Sequence, residues 1–143
     1  MLRYLKHRFQ WGDISFQIPD GFYFDSEPGE ECDNFMSLWE PHKNYSLSLY
    51  ISTECSDTRA ELEDMIEDLR PESMVPIETL SINGFHGYQC NYKFCIPEYY
   101  EAWLDIGNGA ALNVLLENMK GALDADIDAV WAAIDPRKNV EQQ

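Results

Sequence analysis

Between Thr79 and Asn118 the chain carries three consecutive runs with the two-residue period of a β-strand. An antiparallel meander of this kind constrains everything around it, because its apolar face needs a cover. The first run, Phe85 to about Ile96, places His86, Tyr88, Cys90, Tyr92, Phe94 and Ile96 on one face. The second, about Tyr99 to Ile106, sets Tyr100, Ala102, Leu104 and Ile106 against Tyr99, Glu101, Trp103 and Asp105. In the third, about Ala110 to Glu117, Leu112, Val114 and Leu116 alternate with Ala111, Asn113 and Leu115. Turn chemistry separates the runs: Asn83-Gly84, then Pro97-Glu98, then Gly107-Asn108-Gly109.

Two amphipathic segments supply the cover. Leu62, Met65, Ile66 and Leu69 recur at i, i+3, i+4 and i+7, which predicts a helix over 58–70 that buries all four. Thr58 with Glu61 makes a capping-box pattern, Asp57 is a competing cap, and Arg70-Pro71 stops the helix. Ile127, Val130, Trp131 and Ile134 predict a second helix over 124–135, ended by Asp135-Pro136. The expected class is α+β, an antiparallel sheet of about six to eight strands covered by two helices.

The remaining segments fit around that plan. Residues 3–9 read as a leading strand, Trp11-Gly12-Asp13 as a turn, and Ile14 to Ile18 as a cleanly alternating strand stopped by Pro19-Asp20-Gly21. Phe22-Tyr23-Phe24 is an aromatic patch for one end of the core, and the acidic stretch Ser26–Asp33 an exposed loop. Phe35–Glu40 and Tyr45–Thr53 form a hairpin through Pro41–Asn44, with Leu47, Leu49 and Ile51 inward and Ser46, Ser48, Tyr50 and Ser52 opposite. Ile77–Ile82 leads into the meander, and Arg137–Gln143 reads as a frayed polar tail. The 143 residues read as a single domain, 1–143.

Charge narrows the partners. With 26 acids against 10 bases the chain has a net charge of −16, which repels nucleic-acid phosphates and favours a basic protein partner or plain solubility. Arg3, Lys6, His7 and Arg8 interrupt the first ten residues, no run has the length of a membrane span, and a cytoplasmic protein with reduced thiols is expected. Cys32, Cys55, Cys90 and Cys95 lack C-x-x-C spacing.

Few motifs carry chemistry. Asp124, Asp126, Asp128 and Asp135 mimic an EF-hand loop, but Ala129 stands where glycine is needed and the twelfth position lacks glutamate. The apolar spacing also demands a helix there. Glu98 and Glu101 lie among Tyr99, Tyr100 and Trp103, as in sugar-cleaving sites, although cross-strand pairing explains the pattern equally. His7, His42 and His86 are scattered, and His86 reads as a core histidine. No phosphate loop, nucleophile elbow or metal-ligand spacing accompanies them, so no cofactor and no metal are expected.

The order of elements resembles the PsbP-like fold, a group that includes a small nuclear-transport protein binding the GTPase Ran and bacterial DcrB-related proteins. The matching residues are Ile18-Pro19-Asp20-Gly21-Phe22, Ile82-Asn83-Gly84-Phe85-His86-Gly87-Tyr88, and the closing helix with Trp131 and Ile134. The resemblance implies an antiparallel sheet covered by helices and an accessory or binding role, with no catalytic residues. The lipoprotein or transit signals of several members are absent from it.

These readings converge on a small acidic cytoplasmic binding or accessory protein, comparable in role to an immunity protein or effector chaperone, that acts by protein–protein contact without catalysis. Tyr99, Glu101 and Trp103, on an exposed sheet face, are the expected contact residues. The alternative is an enzyme or small-ligand binder with a pocket between sheet and helices, marked by convergent carboxylates or His86. Neither nucleic acid nor membrane is an expected partner.

Overall fold

The computed structural model describes residues 1–5 and 8–139. The chain opens with three short strands, β1 (Arg3–Leu5), β2 (Arg8–Trp11) and β3 (Ile14–Phe16). Then come β4 (Tyr23–Phe24), the hairpin β5 (Phe35–Glu40) and β6 (Tyr45–Ser52), and helix α1 (Thr58–Leu69). The second half runs through β7 (Ser73–Met74), β8 (Glu78–Ile82), β9 (Phe85–Lys93), β10 (Glu98–Gly107) and β11 (Ala110–Asn118). Helix α2 (Ile127–Ile134) and β12 (Arg137–Lys138) follow.

The strands form two sheets. The larger has the order β4-β5-β6-β11-β10-β9, with β7 and β8 both pairing the remaining edge of β9, all antiparallel. The predicted meander therefore stands at its centre, and β6 of the earlier hairpin pairs β11. Register aligns the apolar alternation: Leu49 lies opposite Val114, and Val114 opposite Ala102. Leu38, Leu47, Leu49, Ile51, Tyr100, Leu104, Leu112 and Leu116 consequently share one buried face. Burying each such side chain stabilises the fold by about 1.5–3 kcal/mol as an upper bound.

That inner face is covered by Phe9, Ile14 and Phe16 from the smaller sheet, of order β1-β2-β3-β12, by Leu2 just before β1, and by Trp131 and Ile134 of α2. The expectation of a frayed tail fails for Arg137 and Lys138, which pair with Ser15 and Ile14. Residues 140–143 of that tail lie outside the described residues, as do Lys6 and His7 of the predicted leading strand. The other expected alternation, Ile14 to Ile18, also gives way: Ile14, Ser15 and Phe16 are all buried. The reason is polar. Arg8 Nε donates to Ser15 Oγ at 3.2 Å, and Ser15 Oγ donates to Asn139 Oδ1 at 2.8 Å, so the hydroxyl is satisfied under cover.

Both helices are shorter than their periodicity suggests. In α1 the cap is Asp57, whose carboxylate accepts from the Arg59 and Ala60 N–H groups, and Arg70 closes the helix in the left-handed region at φ 50. Leu62 is fully buried, whereas Leu69, expected inside, is 44% exposed where the chain turns away through Arg70. In α2 the cap is Asp126, accepting from Ala129 N–H at 3.2 Å. The acidic string is thus a cap and a first turn.

Candidate interaction face of the large sheet

The outer face of the large sheet divides into two halves. Over β9 and β10 lies α1, whose Leu62, with Met65 and Ile66, packs on Cys90, Tyr92, Tyr88, Tyr99 and Trp103. Tyr92 and Tyr99 stack with centroids 5.0 Å apart, and the Arg59 guanidinium sits 5.4 Å from the Tyr88 ring centre. The face expected to be exposed is therefore roofed on this side.

Glu101 shows the consequence. It was expected to face solvent with Tyr99 and Trp103, yet it is only 5% exposed beneath α1, and the other two are half-buried. Burial is tolerated because three donors converge on the carboxylate. Tyr92 Oη donates to Oε1 at 2.9 Å, while Trp103 Nε1 and Asn113 Nδ2 each donate to Oε2 at 3.1 Å. Desolvation raises the Glu101 pKa above the usual carboxylate value, and the three hydrogen bonds oppose it without cancelling it. Burial, helped by the Glu101 charge, pushes the Cys90 thiol up to about 12 and raises the Tyr92 phenol as well.

Among the described residues no helix roofs the other half, over β5, β6 and β11. Register arranges its side chains in rows across the strands. One row is Phe35, Tyr50, Asn113 and Trp103; the next is Ser37, Ser48, Leu115 and Glu101; the third is Trp39, Ser46, Glu117 and Tyr99. Phe35, Trp39 and Tyr50 are 54%, 43% and 38% exposed. Tyr50 meets Trp103 edge-on at 6.5 Å, so the two halves join through that pair. None of the nine positions contributed by β5, β6 and β11 is a lysine or arginine. Glu117, its carboxyl raised by burial, lies among them, and Ser37 Oγ donates to Asp25 Oδ2 at 2.7 Å. Of the residues first singled out, Trp103 borders this open half, Tyr99 stacks under α1 and Glu101 is enclosed.

The two described histidines lie apart from one another. His86, expected in the core, is exposed, because its side of β9 extends beyond the cover of α1's apolar stripe. Register places it between Ser81 and Asp105 in a cleft of about 370 Å³ that Thr58 and Tyr88 also line. Asp105 Oδ1 instead accepts from Gly107 N–H at 2.8 Å. His42 lies in the β5–β6 turn, and its backbone N–H donates to Glu40 Oε1 at 2.6 Å. Among the described residues no cluster of three or more His, Cys, Asp or Glu could hold a metal ion. The open aromatic half was legible only in part: alternation puts Tyr50 opposite Leu49, but nothing in the sequence says where α1 comes to rest.

No protein-family model and no curated protein matches the chain. Two solved structures share its architecture. A crystal structure from Bacteroides thetaiotaomicron has a TM-score of 0.53 at 14% identity, covering 90% of this chain and 46% of its own. A point mutant of protein Mog1 has a TM-score of 0.52 at 10% identity, covering 87% of this chain and 85% of its own. At such identities the likeness is one of fold, and at that level this chain resembles protein Mog1.

Proposed function

We propose that this chain is a cytoplasmic accessory protein that binds a basic protein partner through the open half of its large sheet. The observation that carries the reading is the set of three exposed aromatics, Phe35, Trp39 and Tyr50, on a sheet face that the chain's own helix leaves uncovered. Aromatic side chains of this kind anchor protein interfaces, since they bury much area with little side-chain entropy to lose. A net charge of −16 selects for a basic partner and speeds its approach. Likeness of fold to Mog1, and the wider resemblance to PsbP-like proteins, fit a binding role. Among the described residues no helix is long and apolar enough to cross a membrane.

Photo-crosslinking in the native cell tests this. A photoreactive amino acid is placed at Trp39, at Tyr50, and at Asp13, exposed in the turn between β2 and β3 on the sheet that covers the opposite face. The proposal expects one and the same basic protein to be captured from the first two positions and not the third, with capture abolished in about 0.5 M salt. Equal capture from all three sites, or an acidic protein captured through Trp39 and Tyr50, would overturn it.

A further inference from the structure

The uncovered strip has the dimensions of a seat for one α-helix. We infer that the partner supplies a basic amphipathic helix, which lies beside α1 and completes the outer layer. This rests on the docking role proposed above and specifies its mode.

Width comes first. Three strands, β5, β6 and β11, span about 10 Å between their outer axes, which matches the 10–12 Å diameter of a helix with side chains. Along the sheet, the eight residues of β6 run for roughly 26 Å, the length of about 17 helical residues. Relief fits as well. Phe35 and Trp39, four positions apart on β5, stand roughly 13 Å from one another. Ser37 and Ser48 in the row between them, with Ser46 beside Trp39, form a low floor. Side chains at i and i+7 of a helix are separated by about 10.5 Å and can meet the two aromatics, while a large apolar side chain at i+3 or i+4 fills the floor between.

The alternative mode, addition of an extended strand, would pair at the outermost strands, β4 or β7 and β8, and leave the aromatic face itself uncovered. On β5 the outer edge is taken by β4 at Leu38 and Trp39 and by the Asp25 N–H, which donates to Ser37 O at 3.2 Å. The far edge of the sheet is taken by β7 and β8 on β9. A second copy of this chain is disfavoured because each copy carries −16. Charge instead asks for lysine or arginine on the flanks of the incoming helix. Glu117 lies within the face, Asp25 borders it at Ser37, and Glu63, Asp64, Glu67 and Asp68 are exposed on α1.

The test titrates the full chain, isotope-labelled at its tryptophan indoles, with two synthetic peptides of about 17 residues and identical leucine–lysine composition. One carries leucine at helical spacing, the other at alternating strand spacing. The helical peptide should move the indole signals of Trp39 and Trp103 and leave buried Trp131 in place. It should bind about tenfold or more tighter than the strand peptide, and a Trp39→Ser/Tyr50→Ser variant with an unmoved Trp131 signal should lose about that factor. If the strand peptide binds equally well, or if the helical peptide binds without moving Trp39 and Trp103, the helical mode is wrong. Strand-peptide binding that still moves Trp39 and Trp103 removes the helix but not the docking face, which the crosslinking experiment decides separately.

Discussion

Replacing Glu101 by glutamine removes a buried charge and keeps a hydrogen-bonded contact to each of its three neighbours, with the direction of the Tyr92 bond reversed. The amide oxygen can accept from both Trp103 Nε1 and Asn113 Nδ2, as Oε2 does now, and the amide NH₂ can donate to the Tyr92 oxygen. Leucine, of similar volume, satisfies none of the three donors. Asn113 Nδ2 also donates to Ala102 O at 3.0 Å, and half-buried Trp103 can reach water. The penalty of about 1–3 kcal/mol therefore falls on buried Tyr92, and Glu101→Leu should be less stable than Glu101→Gln by about that amount. The pH dependence has a definite sign. Because burial raises the folded-state pKa of Glu101, the carboxyl favours folding fully below its unfolded value of about 4.3, and that contribution is lost as pH rises through the folded value. Glu101→Gln should thus match the parent near pH 4 and exceed it at neutral pH, by about 1.4 kcal/mol for each pH unit that separates the two pKa values. The general repulsion of an acidic chain is nearly common to both proteins and drops out of the difference. Urea unfolding followed by tryptophan fluorescence, from about pH 4.5 to 8, measures it. A glutamine variant that is less stable than the parent at neutral pH, or a difference that does not change with pH, would refute the reasoning.

Other substitutions follow from the packing. Trp131→Ala should lower stability by about 3–5 kcal/mol in the same urea assay, since it empties a buried site and breaks the Trp131 Nε1 to Tyr100 Oη bond of 2.8 Å. Gly87→Ala should be at least as harmful as a typical overpacking change of about 1–3 kcal/mol, because a Cβ there would collide with the Trp103 carbonyl oxygen and lie 2.9 Å from Leu104 Cα. Backbone, unlike a flexible side chain, cannot step aside, and loss of the folded circular-dichroism signal would be the readout. Trp39→Ser and Tyr50→Ser should each change stability by no more than about 0.5 kcal/mol, as expected of exposed positions outside the core. Millimolar calcium should leave the melting temperature unchanged, because the Asp126 carboxylate is engaged by the α2 N-terminus.

The centre of the fold could be read from the sequence because its signals are local. Period-two alternation in Tyr100–Ile106 and Leu112–Leu116, with Asn83-Gly84 and Gly107-Asn108-Gly109 between strands, fixes both strands and turns, and the backbone obliges with positive φ at all five turn residues. What could not be read depends on which elements meet. Glu101 falls on the side opposite Tyr100 and so reads as solvent-facing. Its burial depends on α1 lying over β10, and its hydrogen bonding on Tyr92 and Asn113 arriving from two other strands. The strand β9 misleads for a related reason: Cys90 and Tyr92 pack under α1 while Phe85 turns to the main core, so neither face alone is the apolar one. Arg137-Lys138 carries no pattern, since a strand of two residues is defined only by its partner. The open aromatic face was missed in the same way. Phe35, Trp39 and Tyr50 sit on an expected hairpin, but their exposure is a fact about where the helix is not.

The pairing of β12 with β3 bears on how the molecule comes into being. Ser15 and Asn139, joined through the Ser15 hydroxyl, are 124 residues apart, and the Gln17 N–H donates to Ile134 O across a similar span. On the ribosome the outer edge of the first hairpin therefore gains its partner only when nearly the last described residue has been made. The large sheet can assemble from neighbouring hairpins in the meantime, and the closing clasp bears the loop-closure entropy of almost the entire chain. Slow, late docking of the N-terminal hairpin is the expected folding signature, and nascent chains stalled before Asp135 would leave that hairpin as the natural target of a chaperone.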